Sequence, residues 1–144
     1  MSSIYDDPFQ KFKRDLLKVH SGVNVSGVKF LDLLAGRILN DAKRNLASSV
    51  RTGALRASGR VETLGINSRR IAFGGGQDAV MYAAAIEFGR FNPRGRQRGS
   101  IVMPQPYLRP ALIKNLSGAR KELDKVLTVE YKKFKSSYKG KIGS

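Results

Sequence analysis

From Lys29 to Val50 the apolar residues Leu31, Leu34, Ile38, Ala42 and Leu46 recur at steps of three and four, while Asp41, Lys43 and Arg44 fall off that stripe. This period predicts an amphipathic helix. Upstream, Pro8 suits the first turn of a helix over Phe9–Val19, whose apolar face is Phe9, Phe12, Leu16 and Val19. The polar, small-residue stretch Ser21–Gly27 then predicts a linker. After the long helix, Arg51-Thr52-Gly53 predicts a stop, with Thr52 capping a short turn through Gly53–Ser58 that Gly59 ends.

The period then changes. Arg60–Ile66 alternates and Arg70–Phe73 follows a turn at Asn67 and Ser68, which together predict a hairpin. Past the glycines Gly74, Gly75 and Gly76, the run Ala79–Phe88 predicts a third strand, although its alanines also tolerate a helix. Gly89–Met103 has no period and predicts a long exposed loop, of a length that is uncommon in compact domains unless functional or disordered. Beyond Pro104, Pro106 and Pro110 an apolar stripe from Leu112 through Leu116, Leu123 and Tyr131 to Phe134 predicts the longest helix, ending in a lysine-rich tail. The sum is an α+β fold: a small antiparallel sheet of about three or four strands packed by two long amphipathic helices, with a long basic loop. Residues 1–28 read as an extension with a short helix, 29–136 as one domain and 137–144 as a basic tail.

Composition narrows the function. The 144 residues contain no cysteine, which excludes a disulfide framework, a thiolate metal site and a thiol nucleophile. No secretory h-region opens the chain and no apolar run reaches membrane-spanning length, so a soluble protein with no membrane partner is expected. The net charge of +16 is uneven: from Phe88 onward fourteen Lys and Arg face only Glu122, Asp124 and Glu130. Such an excess attracts polyanions, either nucleic acid or an acidic protein surface.

Candidate chemistry is thin. His20 stands alone in the predicted linker, and Glu62, Asp78 and Glu87 form no spaced metal-nuclease motif. The run AFGGGQDAV lacks the lysine and hydroxyl of a phosphate cradle, and Asp78 repels phosphate. Neither an enzyme, a metal, a cofactor nor a small-molecule substrate is expected. The loop instead carries Arg90, Arg94, Arg96 and Arg98 with Phe91 as its sole aromatic, which argues against base stacking and for contact with phosphates or carboxylates. Glu87, where the apolar run meets this loop, needs a partner: an arginine of a neighbouring copy, Arg90, or backbone amides in the turn.

Three stretches, RTGALRAS at Arg51–Ser58, YAAAIEFG at Tyr82–Gly89 and MPQPYLRPAL at Met103–Leu112, resemble in order and spacing the tail-completion or neck family of long-tailed bacteriophages. The resemblance spans about Lys29–Lys135. It implies a non-enzymatic virion subunit, made in the host cytoplasm, that forms a homo-oligomeric ring at the head-tail joint. Its implied partners are the neighbouring connector or stopper and tail proteins, with non-specific contact to genomic DNA in the channel. Carried over, Thr52, Gly53, Leu55 and Ser58 match the break after the long helix. Tyr82, Glu87, Phe88 and Gly89 match the junction before the loop, and Pro106, Tyr107, Leu108, Pro110 and Ala111 match the entry to the last helix. Glu87, Phe88, Tyr82, Tyr107 and Arg109 are therefore expected at a subunit interface or junction. The arginine-rich loop departs from the family pattern and leaves DNA and a partner ring both open as its target. A tail terminator ring and a free basic DNA-binding architectural protein are the alternatives.

Overall fold

The computed structural model describes the backbone of residues 8–46, 53–74, 77–91 and 99–139; side chains at 8, 9, 11, 77–82 and 137–139 fall outside that description. The order is α1 (Pro8–Asn45), α2 (Gly53–Ser58), β1 (Arg60–Gly65), β2 (Ser68–Ala72), α3 (Gln77–Phe88), β3 (Arg90–Phe91), β4 (Ile101–Val102) and α4 (Leu108–Lys139). The fold is α+β, with two long helices and antiparallel strands. Among the described residues these strands form two separate pairs, β1–β2 and β3–β4.

The chain divides into two compact units, Leu31–Ala119 and the combination of Met1–Phe30 with Arg120–Ser144. Every apolar residue buried among the described ones lies in the first of these: Leu34, Ala35, Ile38, Ala42 and Leu46 of the predicted stripe join Leu55, Ala83, Tyr107, Ala111 and Ala119. Within this unit β1 and β2 pair as a hairpin around Ile66–Asn67, with a bulge between Thr63 and Gly65. Arg69 of β2 pairs with Asp32 of α1, and Asn115 donates to Asp41 at 2.9 Å.

In the other unit, helix replaces the predicted linker at Ser21–Gly27. The sheltered positions Asp15, Val19, Gly22, Val23, Ser26 and Phe30 keep the helical period through it. Its small residues serve close approach to α4: Ser26 donates to Glu130 at 3.0 Å, and a Cβ on Gly22 would stand 3.1 Å from the same carboxylate. Lys133 also holds Glu130, at 3.0 Å. These two donors, Lys133 foremost, keep the Glu130 carboxyl below its ordinary pKa.

The second difference concerns Ala79–Phe88, which is helical rather than a strand. Alanine is the best helix former, and a run apolar on all sides has no period to distinguish strand from helix. Ala83 and Glu87, one turn apart, are the buried pair among the described side chains of α3.

Candidate functional site

α4 starts without a local cap. The residues before and within its first turn, Gln105-Pro106-Tyr107-Leu108-Arg109-Pro110, include no Ser, Thr, Asp or Asn, and no acidic residue stands in the first turn. Such a start leaves several backbone amides unpaired. Glu87 supplies what is missing: its carboxylate accepts from the amides of Tyr107 at 2.8 Å, Leu108 at 3.0 Å and Arg109 at 3.0 Å. Pro110 has no amide to satisfy, so the first turn is complete. The negative charge also opposes the positive end of the α4 dipole. Of the partners foreseen for Glu87, the backbone amides are the ones it takes, and neither Arg90 nor a second copy is needed.

Further bonds close the same junction. The amide of Gln105 donates to the carbonyl of Ile86 at 2.8 Å, and Asn45 of α1 donates to the carbonyl of Tyr107 at 2.9 Å. Tyr107 is buried with its ring edge-on to Phe73, centroids 5.0 Å apart. Burial, with the Glu87 charge adding to it, pushes the Tyr107 phenol up to about 12. Phe73 in turn lies over Gly59, where an added Cβ would stand 2.5 Å from the ring. Ser58 accepts from the amide of Gly74 at 2.7 Å. The described parts of the three stretches singled out in the sequence thus form one continuous set of contacts within Leu31–Ala119.

From this root a short arm projects. Gly89 turns the chain with φ +78°, and a Cβ there would meet the Val102 carbonyl at 2.8 Å. Both requirements select glycine. β3 and β4 then pair, Arg90 opposite Val102 and Phe91 opposite Ile101. The predicted loop is therefore the excursion of a hairpin, and Arg94, Arg96 and Arg98 lie outside the described residues. Arg90 and Arg109 are exposed. So are Phe88 at 74%, Phe91 at 59%, Ile101 at 68% and Met103 at 71%, a dense apolar group for a surface. Tyr82 lies on α3 with its side chain outside the description. Beside the root, an open groove of about 500 Å³ is lined by Ile71, Phe73, Ala84, Phe88, Leu108 and Leu112 among others.

Of the acids considered for metal chemistry, two have described side chains, and each has other partners. Glu62 pairs with Arg60 and Arg70 on the β1–β2 hairpin, Glu87 caps α4, and the side chain of Asp78 is not described. Among the described residues no group of three His, Asp or Glu is placed to hold a metal ion. His20 is exposed on α1, with Nε2 3.2 Å from Asn24 Nδ2, and no described helix is long and apolar enough to cross a membrane. Sequence reasoning left the cap among several options; the signal that selects it is the missing N-cap residue ahead of Leu108. No family model, curated protein or solved structure matches the chain.

Proposed function

We propose that this chain is a structural subunit of a homo-oligomeric ring at the head-tail joint of a tailed phage, linking connector to tail tube around the DNA channel. The observation that carries the reading is the arm: an apolar, arginine-bearing projection on a root fixed by Glu87, beside an apolar groove on the same unit. The arm and the groove at its root are adjacent but unlike surfaces, and where the arm of one copy enters the groove of the next the contact is heterologous; such contacts close into rings when the rotation allows. The resemblance of the stretches that build the root to the neck family supports the same conclusion. In this reading Phe91 and Ile101 of one copy enter the groove of the next, Arg90, Arg94, Arg96 and Arg98 meet carboxylates of the neighbour or the adjoining ring, and no bond is made or broken.

Native mass spectrometry with electron microscopy tests it. The wild-type chain is expected as a closed ring, and Phe91→Asp with Ile101→Asp as a folded monomer. A wild-type monomer at tens of micromolar, or an unchanged ring in the double variant, sinks the reading.

A further inference from the structure

One face of α4 carries a second and different positive surface. At about 100° per residue, Lys121, Lys125, Lys132, Lys135 and the position of Lys139 fall within an arc of roughly 80°, spread over about 27 Å of helix axis. Diametrically opposite run the half-buried Leu123, Val126, Leu127, Glu130 and Phe134, the side on which Ser26 of α1 reaches Glu130. Lys121, Lys125, Lys132 and Lys135 therefore face outward. The only other residue within the arc is Thr128, whose hydroxyl turns back to the Asp124 carbonyl.

A lysine face on a helix is ordinarily interspersed with acids one turn away. Here Glu122 and Asp124 stand one turn from Lys125 and Lys121, but both lie outside the arc, Asp124 at its margin and Glu122 half-buried and engaged elsewhere, while Glu130 is held by Lys133; no carboxylate falls among the lysines, and none stands one turn from Lys135. Lys121, Lys125, Lys132 and Lys135 are exposed and have no ion-pair partner among the described residues. Protein interfaces are depleted in lysine and anchored by aromatic, methionine and arginine side chains, none of which enters the arc. Lysine is a compact point charge suited to phosphate, and the absence of an aromatic removes the platform that single strands stack on.

We infer that this lysine ridge is a sequence-independent binding surface for the phosphate backbone of duplex DNA. It deepens the channel reading by assigning the DNA-facing surface, and rests on that reading only for the source of the duplex.

The test is the salt dependence of binding to a 30-base-pair duplex, followed by fluorescence anisotropy from 50 to 200 mM NaCl. Replacing Lys121, Lys125, Lys132 and Lys135 with Gln is expected to reduce the slope of log K against log salt by about 3 to 4, against about 1 or less for Arg90→Gln. The matching fourfold Lys→Arg variant is expected to keep the wild-type slope, and it carries the test if the Gln variant does not fold. An unchanged slope in a folded Gln variant, a lost slope in the Arg variant, or wild-type binding to phosphatidylserine vesicles but not to duplex overturns the inference. Native mass on the same samples separates the two claims. A lost ring with the slope change intact removes the ring alone, and an intact ring without the slope change removes the ridge alone.

Discussion

The β3–β4 arm and the α4 ridge are both positive and both exposed, yet their chemistry differs residue by residue. The arm mixes arginine with Phe91, Ile101 and Met103 and springs from a junction held by a buried carboxylate. The ridge is lysine with one threonine, on a helix whose opposite side is only half-buried. Arginine serves carboxylate and phosphate alike, but beside exposed apolar side chains it suits a protein contact, while lysine without aromatics suits a phosphate contact. Net charge of +16 conceals this division. A strongly basic chain need not have a single polyanion partner.

Glu87 offers the sharpest way to break the comparison. Glu87→Ala leaves three amides of a sheltered helix start without an acceptor, and a loss of about 3 kcal/mol in chemical denaturation is expected. Glu87→Gln keeps the shape but loses the charge and one acceptor oxygen, for roughly half that loss. The Gln variant should impair assembly of the proposed ring while leaving the salt slope of the proposed DNA binding unchanged. Equal damage to both would mean that the two surfaces are not separable.

Tyr107 gives a smaller effect at the same root. Its phenol is held up to about 12 when folded, whereas the unfolded chain ionises near the ordinary value of about 10. Between these values unfolding releases a proton, so this contribution to stability is complete below about pH 10 and is lost as pH rises towards 12, amounting to about 2 kcal/mol. Denaturation midpoints at pH 9 and 11.5 should therefore diverge more in the wild type than in Tyr107→Phe. Equal divergence in the two would remove the assignment.

The smallest effect lies under the ridge. Lys133 and Ser26 hold the Glu130 carboxyl below its ordinary pKa, so its contribution is present at neutral pH and lost as pH falls through the folded value. By NMR titration the Glu130 midpoint should rise in Lys133→Gln and rise less in Ser26→Ala, because the lysine is the larger cause. The reverse order would show that α1 rather than α4 sets this charge.

Elements with a period were legible in the sequence. The stripe from Leu31 to Leu46, the β1–β2 hairpin and the long last helix all appear where apolar spacing places them, within a few residues. Ser21–Gly27 was not, because small polar residues that let α1 approach Glu130 have the same composition as a linker. Ala79–Phe88 was not, because alanine-rich apolar sequence has no face to reveal its period. β3 and β4 are two residues each, too short for alternation to register. Glu87 was identified as needing a partner and backbone amides were among those foreseen, but composition does not distinguish them from an arginine or point to the start of α4. Their need is visible only as the absence of a capping residue in Gln105–Pro110.

The Gly89 turn has an evolutionary corollary. The arm leaves the body through the Gly89 turn, beside a carboxylate that holds three main-chain amides, so the residues that make this root are all distinct from those between Phe91 and Ile101. Sequence drift within that stretch can then retune which surface is recognised without a fresh solution to the folding problem, so related chains should diverge fastest there and slowest at Glu87 and Gly89.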